Sequence, residues 1–89
     1  MKAVITVIGQ DKVGIIAKVS TILLEYNVNI LDINQTIMQD FFTMIMMVDL
    51  DKKTTDFSSL SKVLEQAGKE LELEIRIQRE DIFTSMHRI

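Results

Sequence analysis

The residues best placed to bind a small molecule lie in a polar turn between an apolar run and a helical pattern. The turn comprises Asp11, Lys12, Val13 and Gly14, and Ile15 opens the helical pattern. A glycine lets a ligand approach the backbone, and the N–H groups of a first helical turn attract a carboxylate. The alternative makes Gly14 a tight-turn residue and Asp11 the N-cap of the helix. The turn alone favours that alternative, because glycine is common in strand-to-helix turns.

Asn29 and Ile30 form a second candidate, at the start of the next strand-like segment. An asparagine here could hydrogen-bond a ligand, or it could close the helix-to-strand turn. Asp32 and Asn34 share one face of that strand, which water solvates unless a partner covers it. Together the turn and the strand start predict a main-chain site for a small polar ligand near one edge of a sheet.

Side chains that could support catalysis or hold a metal ion are sparse in this sequence. The chain has no cysteine, and its one histidine, His87, stands near the C-terminus without a suitably spaced Asp or Ser. Glu70, Glu72 and Glu74 are most simply the wet face of a strand. We therefore expect a protein that is not an enzyme and that needs no cofactor and no metal.

Composition limits the remaining classes of function. Eighty-nine residues with 47% hydrophobic and 26% charged content form one domain with a small core, which oligomerisation would help to stabilise. The net charge of −3 disfavours nucleic acid as a partner. The N-terminal run is neither a signal peptide nor a membrane span, so we expect a cytoplasmic protein with no membrane association.

The periodicity of apolar residues changes along the chain in a βαββαβ order. Alternating patterns predict strands at residues 2–8, 29–38, 41–50 and 71–79. Apolar residues three and four apart predict one helix from Ile15 to Tyr26 and another that Asp56 caps. A short terminal helix is predicted at 80–89, with one apolar stripe formed by Ile82, Phe83, Met86 and Ile89.

This order predicts an α+β, ferredoxin-like sandwich. A four-stranded antiparallel sheet of strand order 4-1-3-2 would carry two helices on one face, with the core spanning 1–79 of the single domain 1–89. Strand 41–48 is apolar on both faces, and the helices cover only one. We therefore expect the terminal helix, a second subunit or both to cover the other face, and we expect a homodimer or a higher homo-oligomer.

The residues quoted above resemble an ACT domain. Gly14-Ile15 opens the first helix, Asn29-Ile30 starts the second strand, and the βαββαβ order covers residues 1–79. The tail from Arg76 to Ile89 is similar to that of small standalone single-ACT-domain proteins of bacteria and archaea.

The resemblance implies an amino acid or similar ligand bound at a subunit interface. The site residues it implies are Asp11, Lys12, Val13, Gly14 and Ile15 in the first loop, with Asn29 and Ile30 at the start of the second strand. Because the chain has no enzyme domain, such a module would regulate a partner in trans. The alternative is an interaction or assembly domain that retains no ligand and binds an unidentified protein.

Overall fold

The computed structural model describes residues 1–82 of the chain. This part consists of β1 (Lys2–Gln10), α1 (Ile15–Glu25), β2 (Asn29–Met38), β3 (Phe41–Asp49), α2 (Phe57–Leu71) and β4 (Leu73–Arg79). The strands form one antiparallel sheet in the order β2-β3-β1-β4. The predicted ferredoxin-like fold and its strand order are confirmed.

The core lies between the sheet and the two helices. Alternate residues of each strand point to opposite faces, so one face of the sheet carries the apolar positions that the helices bury. α2 packs on β4, and α1 packs against α2 and β2. The buried side chains on β1 are Ala3, Ile5 and Val7, and those on β3 are Phe42, Met44, Met46 and Val48. They pack with Val19 and Leu23 of α1, Leu60 and Leu64 of α2, and Ile75 and Ile77 of β4.

The turns and helix ends follow the local sequence signals. Asn27 adopts a left-handed conformation, with φ of 57°, after α1 ends, and Gln39 does so in the two-residue β2–β3 turn. The Asp56 carboxylate accepts a hydrogen bond of 2.9 Å from the Ser59 backbone N–H and so caps α2. This hydrogen bonding from Ser59 holds the pKa of Asp56 below its usual value.

The predicted start of the last strand was wrong at the junction between α2 and β4. The alternating pattern placed Leu71 in the last strand, but Leu71 is the last residue of α2. Glu72 then takes a left-handed conformation, and β4 begins at Leu73. Gly68 is a buried residue of α2. A Cβ on Gly68 would come within 2.7 Å of the Leu73 carbonyl oxygen, so glycine allows β4 to approach the helix closely.

Two features extend and distort the sheet beyond the predicted pattern. β1 continues to Gln10, and the next residue, Asp11, donates its backbone N–H to the Asp40 carbonyl oxygen at 2.7 Å. The first loop is therefore tied to the tip of the β2–β3 hairpin. The pairing of β2 with β3 shifts by one residue between Ile30 and Asp32, which makes Leu31 an extra, unpaired residue.

The chain becomes helical again at residues 80–82, directly after β4. Most of the predicted apolar stripe of this terminal helix, including Phe83, Met86 and Ile89, lies outside the described residues. Among residues 1–82, no helix has the length and apolar character needed to cross a membrane.

Candidate functional site

The β1–α1 loop holds the glycine on which the predicted site depends. Gly14 has φ of 95°, a left-handed conformation that side chains rarely adopt, and it is the N-cap residue of α1. The alternative that made Asp11 the cap was therefore wrong, and no side chain caps this helix. A Cβ on Gly14 would meet nothing within 4 Å. The start of α1 therefore presents main-chain N–H groups beside open space, as binding of an anion requires.

The other loop residues differ in what they offer a ligand. The Val13 side chain is fully exposed, whereas Ile15 is buried in the core and offers only its main chain. The Lys12 ammonium donates to the carbonyl oxygen of Leu71, the last residue of α2. Lys12 thus ties the loop to the end of α2.

The second half of the predicted site lies at the start of β2. Asn29 is exposed, and Ile30 is half-buried against the core. Asn29 can therefore present its side-chain amide, while Ile30 contributes main-chain groups or part of an apolar wall.

The structure separates these two halves within one chain. Gln10, beside the loop, pairs with Phe41, and Phe41 pairs with Met38 at the end of β2. Asn29 pairs instead with Asp49, which pairs with Lys2 at the start of β1. The eight residues between these rungs correspond to about 26 Å of strand. The prediction that both halves lie near one edge was therefore wrong for a single chain.

Around Asn29 the structure assembles polar residues that sequence reasoning did not identify. An open cleft of about 500 Å³ is lined by Asn29, Asp49, Asp51 and Lys52, among others. The Asp51 N–H donates to Asp49 Oδ1 at 2.9 Å, and the chain's terminal ammonium binds the Asp51 carboxylate. Hydrogen bonding from that ammonium, helped by its charge, lowers the pKa of Asp51. The hairpin turn at residues 39 and 40 sets the pairing of β2 with β3. Counting residue by residue from this turn pairs Asn29 with a residue near position 50, so the sequence could have identified Asp49 as its neighbour.

The ionisable side chains of residues 1–82 lie outside the core. Within residues 1–82, no three His, Cys, Asp or Glu side chains lie close enough together to hold a metal ion. In the same range the buried side chains are all apolar. The exposed Arg76–Glu74 pair, at 2.8 Å, is a surface ion pair on β4.

Comparison with known proteins identifies the family. The sequence model of the ACT domain matches residues 2–78. The chain belongs to the ACT domain family. ACT domains are, in general, regulatory modules that bind small molecules.

Close relatives of this ACT domain span bacteria and archaea. A UPF0237 protein of Clostridium acetobutylicum is 57% identical over 89 residues, which is the whole of both chains. A UPF0237 protein of Methanocaldococcus jannaschii is 53% identical over 88 residues, covering 99% of this chain and 98% of the relative. The predicted resemblance to small single-ACT-domain proteins is confirmed.

Solved structures agree with this assignment. An ACT domain protein from Streptococcus pneumoniae matches with a TM-score of 0.81 and 46% identity over 93% of each chain. The regulatory subunit of aspartate kinase from Thermus thermophilus matches with a TM-score of 0.66 and 26% identity, over 86% of this chain and 50% of that one. A formyltetrahydrofolate deformylase from Pseudomonas syringae shares the fold over 27% of its length, with a TM-score of 0.80 and 23% identity.

Proposed function

We propose that this ACT domain binds an amino acid at the interface between two copies of the chain and regulates a partner protein in trans. The β1–α1 loop of one copy supplies Asp11 to Ile15, with the first-turn N–H groups holding the ligand carboxylate. The start of β2 in the other copy supplies Asn29 and Ile30. The polar groups of the Asn29 cleft then face the ligand ammonium.

The observation that carries this proposal is the separation of the two halves along the sheet. β2 is an edge strand, so two copies can join β2 to β2 in antiparallel fashion. Antiparallel pairing sets the start of one β2 beside the end of the other. The end of β2 leads to Asp40, whose carbonyl oxygen binds the Asp11 N–H. The pairing therefore brings Asn29 of one copy close to the loop of its partner, and it creates two equal sites.

The β2 edge has the character of a surface that is buried in an assembly. Four large apolar side chains on β2 are between 42% and 70% exposed, namely Leu31, Ile33, Ile37 and Met38. Ile16 of α1 is also exposed. Ile33 and Ile37 lie on the helix-covered face and Met38 on the opposite face, so apolar side chains flank the free edge of β2 on both sides, which favours an interaction site.

Action in trans is supported by the comparison with the aspartate kinase protein. That similar chain is a regulatory subunit, and the match covers 50% of it. By analogy, we propose that ligand binding alters a surface that a separate enzyme contacts.

A thermal-shift screen against the twenty amino acids tests the proposal. A ligand present at one hundred times its dissociation constant stabilises the folded protein by about 2.7 kcal/mol, which gives a clear rise in melting temperature. We expect one amino acid, or a small group of related ones, to give this rise. The Gly14→Val variant should not respond, because a β-branched side chain would stand in the open space where the ligand meets the backbone.

A matched control separates backbone strain from loss of the site. Glu72 also has a left-handed conformation, with φ of 58°, but it lies between α2 and β4. Glu72→Val therefore introduces similar strain outside residues 11–15, beside the Leu71 carbonyl that Lys12 binds, and it should keep the ligand response. If Gly14→Val binds the amino acid with unchanged affinity in calorimetry, the loop is not part of the site.

A second candidate function is an assembly domain that binds another protein without a small ligand. The fully exposed Val13 of the loop and the largely exposed Leu24 of α1 favour it, because uncovered apolar side chains suit contact with another protein. In that case no amino acid would raise the melting temperature, and substitutions at the β2 edge would still change the assembly.

A further inference from the structure

The lysine of the β1–α1 loop links the proposed ligand site to the C-terminal end of α2. Lys12 lies two residues before Gly14, and its ammonium donates to the carbonyl oxygen of Leu71, the last residue of that helix. The last four carbonyl groups of an α-helix have no partner within the helix. Lys12 therefore satisfies one of them from outside, and its positive charge suits the negative end of the helix dipole.

The turn that follows Leu71 is held in a costly conformation. Glu72 has φ of 58°, in the left-handed region that residues other than glycine adopt only at an energetic cost. Its backbone N–H donates to the carbonyl oxygens of Gly68 and Lys69, the second over 3.3 Å. A costly backbone conformation persists where the surrounding contacts hold it. The contact from Lys12 to Leu71 is therefore part of what keeps this turn in place.

Close packing on both sides limits how far a change in this turn can spread. A Cβ on Gly68 would come within 2.7 Å of the Leu73 carbonyl oxygen, so the helix and the start of β4 are tightly packed there. Leu73 is also paired with Gly9 of β1, which has no room for a Cβ beside it. The residues between Gly68 and Leu73 have exposed or half-buried side chains, namely Lys69, Glu70, Leu71 and Glu72. The segment that can respond to Lys12 is thus residues 69–72.

We propose that Lys12 transmits ligand binding to the end of α2 by leaving the Leu71 carbonyl for the carboxylate of the ligand. This inference rests on the proposed function, in which the first-turn N–H groups of α1 hold that carboxylate. The first intrahelical hydrogen bond of α1 runs from the Lys18 N–H to the Gly14 carbonyl oxygen at 2.9 Å, so the earlier N–H groups have no partner within the helix. A bound carboxylate therefore lies against the same short loop that carries Lys12.

The ammonium has a physical reason to change partners. A carboxylate carries a full negative charge, whereas the Leu71 carbonyl is neutral, so the carboxylate attracts the ammonium more strongly. A lysine side chain is flexible and has three donors that rotate, so its ammonium can move without a shift of the loop backbone. The space beside Gly14, where a Cβ would meet no atom within 4 Å, gives room for both groups.

Loss of the Lys12 contact loosens the segment 69–72. The Leu71 carbonyl loses its donor, and Glu72 keeps its costly conformation with one contact fewer to hold it. The last turn of α2 then opens more often, as a local event that leaves the core intact. This segment borders an open cleft that Lys69, Leu73 and Glu74 help to line. The end of α2 is therefore the surface at which a separate protein can detect the bound amino acid.

Amide hydrogen exchange at Glu72 tests this coupling, with an equimolar mixture of the twenty amino acids as the probe. In the unmodified protein the mixture should raise the melting temperature and yet speed exchange of the Glu72 N–H by about three-fold or more. A ligand that only stabilises the folded state slows exchange throughout the core, so faster exchange at this one turn is the signature of the coupling. If the melting temperature rises while Glu72 exchanges at the same rate or more slowly, the inference fails and the proposed function stands. If the melting temperature does not rise, the proposed function fails and the inference fails with it.

Substitutions of Lys12 show whether this lysine is the link. Lys12→Met removes the charge and keeps most of the apolar stem, so Glu72 should exchange fast both with and without the mixture. Lys12→Arg keeps a cation that can bind either partner, and it should retain the response to the mixture. Lys18→Met is the matched control, because Lys18 of α1 pairs with Glu70 of the same turn at 3.6 Å. Both groups of that pair are exposed, so the pair contributes little and the control should respond as the unmodified protein does. Slow exchange in Lys12→Met without the mixture, or a further rise when the mixture is added, would overturn the proposal.

Discussion

The two edges of the sheet differ in how they meet their surroundings. β4, at one edge, carries Glu74, Arg76 and Arg79 among its seven residues, and its large apolar side chains are buried under α2. β2, at the other edge, has a single charged residue, Asp32, and presents apolar side chains to the outside. Charged residues on an edge strand discourage pairing with another chain, and β2 lacks that protection over most of its length.

The difference indicates that the two sides of the molecule have different roles. The β4 side has its apolar surface covered within the chain, so it contributes mainly to the stability of the fold. The β2 side leaves apolar surface and main-chain groups uncovered, so it is suited to assembly. A substitution at the β2 edge should therefore change association, and one at the buried apolar residues of β4 should change the free energy of unfolding.

The largest effect on assembly is expected from a charge on the β2 edge. Ile37 is 56% exposed, and Ile37→Lys would place an ammonium group in the proposed edge-to-edge contact. We expect the dissociation constant of the edge-paired dimer to rise at least ten-fold, which corresponds to about 1.4 kcal/mol, with little change in melting temperature. Sedimentation across a concentration series measures it.

The control for this variant is a lysine beside the other edge. Ser61 lies on α2 next to β4, and it lines the open cleft along the β4 edge. Ser61→Lys should leave association unchanged. Equal weakening by both lysines would show that net charge, and not the β2 edge, governs assembly.

A second prediction concerns packing where β1 meets β4. A Cβ on Gly9 would come within 2.3 Å of Leu73 Cδ2 and 3.2 Å of the Leu73 Cα. Gly9→Ala should therefore destabilise the fold by about 1–3 kcal/mol through overpacking, without weakening edge pairing. Chemical denaturation measures the change. Gly14→Ala is the comparison, because its new Cβ meets no atom and only backbone strain remains. A larger loss for Gly14→Ala than for Gly9→Ala would contradict this prediction.

The smallest effect is expected on acidification. The pKa of Asp56 is lowered by hydrogen bonding from Ser59, and the pKa of Asp51 by hydrogen bonding from the terminal ammonium. Because each pKa is lowered in the folded protein, each ionised carboxylate stabilises the fold at pH values above the pKa of the unfolded chain. That contribution is lost as the pH falls below about 3.8, through the folded pKa. The melting temperature should fall modestly in this range.

Single substitutions assign this acid sensitivity to one side of the molecule. Asp56→Asn keeps a capping oxygen that does not titrate. This variant should therefore lose less melting temperature on acidification, through its contribution at the start of α2. Asp51→Asn should likewise reduce the fall in melting temperature on acidification, through the polar cluster near the start of β2. If neither substitution alters the pH profile, the two carboxylates do not control the acid transition.

Much of the fold could be predicted because local signals and burial agree. Asp56 capped α2 as expected, Asn27 ended α1, and the two-residue break at Gln39 formed the hairpin. The boundary at Leu71 could not be predicted, because its alternating pattern fits a strand as well as the end of a helix. Contact with the core decided that Leu71 belongs to α2, and Glu72 accepted the left-handed conformation that separates the two elements.

The candidate site was harder to predict because its parts are far apart in one chain. The sequence indicated Gly14 and Asn29 through their positions beside a helix and a strand. It did not indicate that the direction of α1 carries them to opposite ends of the sheet. Periodicity indicates which face of the sheet a residue occupies. Its position along the strand direction depends on the strand register.

The opposite placement of Gly14 and Asn29 has a genetic consequence. In the proposed edge-paired dimer each site takes its loop from one copy and its strand start from the other. Consider a mixed dimer in which one copy carries a defective loop and the other a defective Asn29. Both defects then fall in the same site, and the second site is built entirely from sound parts. Two inactive alleles of this chain would therefore complement each other when they are expressed together.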